Sequence, residues 1–169
     1  MVGRVWEEIE VKVPASEAWK VYGGLPLGQI ACAGLPNLFS KAEVVEGDGS
    51  AGTILQVFLP TGTRSMMKSE TGMSYKEKFT VVDDEKRVKE AEVVDGGVLD
   101  LGFTLYRFRF EVMEKEGKEE ECIVRGSIEY EVNDEAAAIA NAAFVSKEPL
   151  VAILQVAADY LTKNYITTI

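Results

Sequence analysis

The sequence predicts an α+β fold: a seven-stranded, curved antiparallel sheet wrapping a long C-terminal helix, with two short helices near the start and an internal cavity. Three observations predict it. Between Ser40 and Asn133, runs of alternating apolar and polar residues are separated by turns rich in Gly, Asp and Lys. Alternate residues of a strand face opposite sides, so each run reads as a half-buried strand and the short separators make the series an antiparallel meander. From Asp134 to Lys163 the chain turns Ala- and Leu-rich, glycine disappears, and apolar residues recur at helical spacing. The concave face of a strongly curved sheet is wider than one helix can fill, so space remains between them.

Taken in order, "VWEEIEVKVP" (Val5 to Pro14) reads as an opening strand that Pro14 stops. Ser16 and Glu17 start a short helix, "ASEAWKVY", which Gly23 and Gly24 end. The next stretch, "LPLGQIACAGLPNLF", is rich in Gly and Pro and has room for one short helix; together the two helices read as filler rather than as a binding loop. Six strands follow: "SKAEVVEG", "GTILQVFLP", "SYKEKFTVVD", "RVKEAEVVDGG", "GFTLYRFRFEVMEK" and "EECIVRGSIEYEVN". Their separators are "GDGSA", "TGTRSMMKSETGM", "DDEK", "DGGVLDL" and "EGKE". Ile139, Ala142, Ala143, Leu150, Ile153, Leu154 and Ala157 are spaced for a terminal helix, bent or interrupted at Pro149.

Composition narrows the function. A chain of 169 residues, 47% hydrophobic and 27% charged, suits one compact domain over residues 1–169. The formal charge of -10 repels nucleic acid phosphates and anionic membrane surfaces, so neither is expected as a partner. Cys32 and Cys122 lack metal-ligand spacing and read as packing thiols of a reducing compartment. The absence of histidine removes His-based triads and His-ligated zinc, leaving acid-base work to Glu, Asp, Lys or Tyr. No cofactor or metal is expected. No leader and no apolar stretch of about 18 residues is visible, which makes the cytoplasm the expected location.

Two motifs bear on chemistry. "GDGSAG" (Gly47 to Gly52) matches a dinucleotide fingerprint, but that motif needs a helix after its glycines, and "TILQVFLP" reads as a strand. A tight glycine turn is the better reading. In "SYKEKFTVVD" the face carrying Tyr75 and Phe79 also carries Glu77, and on the next strand Lys89 shares a face with Ala91 and Val93. If both faces are concave, Lys89 approaches Glu77 inside the cavity and the pair can move protons. The plainer alternative is a cross-strand surface pair worth a few tenths of a kcal/mol. Met66, Met67 and Met73 could form an apolar lid, and Tyr106 and Phe108 are aromatic wall or core.

"GDGSAGTI", "YKEKFTVVDDEKRVKEAEVVDGGVLDLGFTLY", "IEYEV" and the terminal helix resemble plant pathogenesis-related class 10 proteins, the birch pollen allergen superfamily. The likeness runs from about Val5 to Lys163, and "YKEKF" with Gly96 to Gly102 is its most specific part. Within the superfamily the sequence is similar to the norcoclaurine synthase branch, including norbelladine synthases. The resemblance implies a helix-grip fold and condensation of a phenolic ethylamine, such as dopamine or tyramine, with an aromatic aldehyde. The resulting iminium is either cyclised by the ring (a Pictet-Spengler reaction in plant alkaloid biosynthesis) or released as the open imine, as in norbelladine synthases.

The family's catalytic tyrosine, glutamate and lysine correspond to Tyr75, Glu77 and Lys89. Lys89 would be the ammonium acid, Glu77 the base, and Tyr75 would position the substrate phenol. An aspartate of norcoclaurine synthases corresponds to Phe108, which departs from cyclising chemistry and suits the open imine. Phe79, Tyr106, Phe108, Phe144, Pro149 and Ile153 are the expected substrate-binding residues. The partners are small aromatic amines and aldehydes, and the chain is expected to be a monomer or weak dimer. A non-catalytic binder of a hormone, flavonoid or alkaloid in the same cavity stays open as the alternative.

Overall fold

The computed structural model describes residues 1–60, 73–134, 137, 139 and 142–165. Among them the chain runs β1 (Val2–Val11), α1 (Ala15–Tyr22), α2 (Pro26–Gly34), β2 (Lys41–Glu46), β3 (Ile54–Phe58), β4 (Ser74–Asp83), β5 (Val88–Gly96), β6 (Phe103–Lys115), β7 (Lys118–Val132) and α3 (Glu148–Asn164). Short 3-10 turns occupy Gly97–Leu101 and Ala142–Val145. The seven strands form one antiparallel sheet in the order β1-β7-β6-β5-β4-β3-β2. This is the predicted meander, with the first strand added at the far edge beside the last.

Pro14 does not end β1 directly; it stands just before α1, accepting at its carbonyl from the Glu17 and Ala18 N–H groups at 3.0 and 3.1 Å. A proline suits this place because it has no N–H to leave unbonded. α1 carries a Glu17–Lys20 ion pair at 2.8 Å and ends where Gly23 N–H bonds the Trp19 carbonyl. In the "GDGSAG" turn Gly47, Gly49 and Gly52 all have positive φ, and the strand Ile54–Phe58 follows, so there is no helix N-terminus for a phosphate.

The terminal helix differs from expectation. α3 is 17 residues long, and Pro149 lies in its first turn rather than at a bend in its middle. The first four N–H groups of a helix have no internal acceptor, so proline starts this helix instead of breaking it. Its buried face is Leu150, Ile153, Leu154, Ala157, Ala158 and Leu161. The helix lies close against β7 at Gly126, where a Cβ would come within 2.9 Å of a Leu150 methyl and 3.2 Å of Leu154. From the other side Tyr22 Oη, fully buried, donates to the Leu154 carbonyl at 2.7 Å and ties α1 to α3.

Buried residues gather in two clusters. The larger joins α1, α3 and the β1-β7-β6 side; the smaller, Leu55, Val57, Phe79 and Ala91, belongs to β3-β4-β5. Tyr75 and Phe39 pack against both. A cavity opens where the two clusters meet. The loop of residues 61–72, with Met66 and Met67 and the lid they would form, lies outside the described residues.

Candidate active site

Strand pleating turns Tyr75, Glu77 and Phe79 of β4 and Lys89 and Ala91 of β5 into this cavity, as their spacing predicts. The neighbouring residues of β5 point the other way. There Glu90 pairs with Arg109 at 2.6 Å and Glu92 with Arg107 at 3.9 Å, the convex-face ion pairs that alternation demands. Lys89 is treated differently. It is 4% exposed, its Nζ donates to the Gly24 carbonyl at 3.2 Å, and it sits 4.2 Å above the centre of the Phe79 ring.

Lys89 and Glu77 are not cross-strand partners. Glu77 faces Val93 across the ladder while Lys89 faces Val82, with bulges after Lys76 and Phe79. Four residues of β5, roughly 13 Å of strand, separate Lys89 from the partner of Glu77. Among the described residues no carboxylate lies within 4.0 Å of the ammonium, yet the two groups influence each other through the cavity. Burial pulls the Lys89 pKa down to about 8, with Glu77 opposing. Burial likewise pushes Glu77 above the ordinary carboxylate range, with Lys89 opposing. The carboxyl is crowded by protein atoms while keeping some exposure to the cavity space. Tyr75 is driven well above 10, first by burial and then by the Glu77 charge. For Lys89 and Glu77 burial outweighs the partner, because the walls are apolar and the opposite charge is not in contact, whereas at Tyr75 burial and the Glu77 charge act in the same direction.

Tyr75 is held by the turn after β5. Gly97 has φ +56°, and a Cβ there would stand 2.8 Å from the Cβ of Tyr75. Only glycine combines that dihedral with so close an approach. Phe79, Phe108 and Ile153 also line the cavity. Tyr106 and Phe144 pack beside this described lining: Tyr106 Oη donates to the Phe144 carbonyl at 2.8 Å, and its ring stands edge-on to Phe108 with centroids 5.5 Å apart. Pro149, in the first turn of α3, is also outside that lining, because the helix starts there rather than bending inward.

Sequence reasoning missed the opposite wall. α2, read as filler, presents Leu27, Gly28, Ala31 and Cys32 to the cavity, and Cys32 lies in the wall rather than in the packed core. The i, i+4 spacing of Leu27 and Ala31 was the available signal. Gly28 lies beside the sheet with room to spare, since a Cβ there would make ordinary van der Waals contact with Ala42 at 3.7 Å. The cavity is small, about 70 Å³ in volume.

The arrangement has close counterparts among known proteins. The chain matches the pathogenesis-related protein Bet v 1 family over residues 1–163. It is 41% identical to norbelladine synthase of Narcissus pseudonarcissus over 97% of its own length and 94% of that protein's. It is 35% identical to S-norcoclaurine synthase 2 of Papaver somniferum over 93% of its length, but spans 64% of that longer enzyme. The X-ray structure of norcoclaurine synthase from Thalictrum flavum in complex with dopamine and hydroxybenzaldehyde superposes with a TM-score of 0.79 at 30% identity, covering 99% of this chain and 90% of that one. Sheet order, a cavity under the terminal helix and likeness over nearly every residue agree: the chain belongs to the pathogenesis-related protein Bet v 1 family.

Proposed function

We propose that this protein condenses a phenolic ethylamine with an aromatic aldehyde, as part of alkaloid biosynthesis, using Lys89 as acid and Glu77 as base. The observation that carries the reading is a lysine buried in an apolar cavity with no carboxylate of the described residues in contact, facing the same space as a raised-pKa glutamate. A lysine kept for stability would pair as Arg109 and Arg107 do on the convex face.

The amine nitrogen adds to the aldehyde carbon to give a carbinolamine. The Lys89 ammonium then gives a proton to the carbinolamine hydroxyl, which leaves as water, and the iminium forms. Glu77 accepts the proton next shed, from the iminium nitrogen for an open imine or from the ring for a cyclic product. Tyr75 Oη hydrogen-bonds the substrate phenol. Phe108 puts an apolar ring in the wall, and Glu77 is the one carboxylate of the described lining, which favours the open imine. With a cavity volume of about 70 Å³, one ring occupies the interior and the rest of the guest extends into its mouth.

Relatives named norbelladine and norcoclaurine synthase support this chemistry. The same reading takes the chain as a single domain acting as a monomer or weak dimer. No described helix is long and apolar enough to cross a membrane, and both cysteines are free thiols, which supports a cytosolic site. Incubation with dopamine or tyramine and a panel of aromatic aldehydes tests the proposal, with open imine quantified as its reduced secondary amine and any cyclic product resolved by chiral analysis. Product above the uncatalysed rate, lost in Lys89→Met, is the expected result. Product at the background rate with saturable ligand binding would instead establish the cavity binder, the reading that the apolar walls favour.

A further inference from the structure

We propose that Lys89 also acts as a nucleophile, capturing aldehydes as a covalent imine, and that Glu77 then removes a proton from the carbon next to the imine. The protein would thereby catalyse exchange of the α-hydrogens of enolisable arylacetaldehydes with solvent, with no amine substrate present. The inference rests on reading Lys89 and Glu77 as the working pair of this cavity.

The geometry supports it in three ways. Lys89 Nζ is held by one neutral acceptor, the Gly24 carbonyl at 3.2 Å, and by the Phe79 face at 4.2 Å. Neither blocks its lone pair when the amine is neutral, whereas a contacting carboxylate would hold the nitrogen protonated. Glu77 stands on the adjacent strand, further along the lining of the same cavity. The other titratable groups of the described cavity lining are Tyr75 on β4 and Cys32 on α2, and Phe108, Phe110 and Ile153 on β6 and α3 contribute apolar wall. Burial raises both Tyr75 and Cys32, so neither competes as a charged group near neutral pH.

The steps balance. The neutral Lys89 amine attacks the carbonyl carbon, forming a C–N bond as the C=O π bond breaks, and the oxygen takes up the proton that the nitrogen sheds. A second proton converts the hydroxyl to departing water, leaving the protonated imine. Glu77 takes an α-hydrogen as a proton, and its electron pair forms the C=C of an enamine while the iminium nitrogen becomes neutral. A solvent-derived proton returns to the carbon, and water hydrolyses the imine to release aldehyde and amine. Nothing is oxidised or reduced, and no further reactant is needed.

The test uses the full chain with phenylacetaldehyde, without amine. Cyanoborohydride trapping followed by peptide mapping is expected to place one arylethyl group per chain on Lys89 ahead of the surface lysines. Trapping should increase about tenfold between pH 7 and pH 9, as the amine becomes neutral. Proton NMR in D2O should show α-hydrogen loss at least about tenfold above background, abolished in Lys89→Met. In Glu77→Gln, trapping should persist while exchange falls to background. Benzaldehyde, with no α-hydrogen, should be trapped at the same residue. Labelling spread over surface lysines, or exchange unchanged in Lys89→Met, would overturn the proposal. Should Lys89→Met fail to fold, site mapping and pH dependence of the wild-type adduct decide alone. Condensation intact without trapping would leave the acid role of Lys89 standing and remove only this one; trapping without condensation would do the reverse.

Discussion

Lys89 sits where a lysine is costly to charge, and its protonation state is the residue-scale quantity that matters most. Its pKa, depressed to about 8 from 10.5, means that the unfolded chain binds more protons than the folded one between those values. Stability therefore rises with pH across that window, and below pH 8 the fold bears the full cost of a buried ammonium. Lys89→Met is accordingly expected to melt higher at pH 7, by up to about 3 kcal/mol, while condensation falls about 100-fold or more. Thermal denaturation beside a rate assay would check this; a destabilised variant would mark Lys89 as a structural residue. Activity should be bell-shaped in pH. It should fall as pH rises through about 8, where the Lys89 ammonium is lost, and fall at low pH through the raised Glu77 pKa, where the base is protonated. A kcat/KM profile that stays flat between pH 6 and 9 would contradict these assignments.

At the scale of elements, the turns and helix ends hold these residues in place. Gly97→Ala puts a side chain on a φ of +56° and into Tyr75, so it should cost more than about 1 kcal/mol and raise KM for the phenolic amine more than it lowers kcat. Equal KM values in the two proteins would show that the turn does not position Tyr75. Pro149→Ala should change stability by under about 1 kcal/mol, because the proline lies in a first turn whose N–H groups have no helical acceptor. A large shift in melting temperature would restore the mid-helix bend that the sequence suggested. The β4-β5 hairpin was legible in outline: its turn, its alternation and its two inward faces follow from period-2 patterning alone. Its register was not: the turn sets Lys89 opposite Val82, and the bulge between Phe79 and Val81 shifts the ladder by one residue, which brings Glu77 onto the same face as Lys89.

For the whole molecule, sheet and terminal helix are joined through a few fully buried contacts, and Leu154 is central to them. Leu154→Ala should destabilise by about 2–5 kcal/mol, measured by denaturant unfolding, since the side chain is fully buried and packs against β7 at Gly126. A loss below about 1 kcal/mol would mean that the helix is not clamped there. The sequence by itself determined the class of fold, the order of strands, the inward faces of β4 and β5, and the exclusion of histidine chemistry, because alternation, turn residues and composition are local properties. Only the tertiary structure decided that α2 forms the facing wall, that Pro149 begins a helix, that Tyr106 and Phe144 bond to each other beside the cavity lining, and that the cavity is narrow. Those outcomes depend on how close two elements approach across the core, a distance set by Gly126 and the twist of the whole sheet rather than by any single segment.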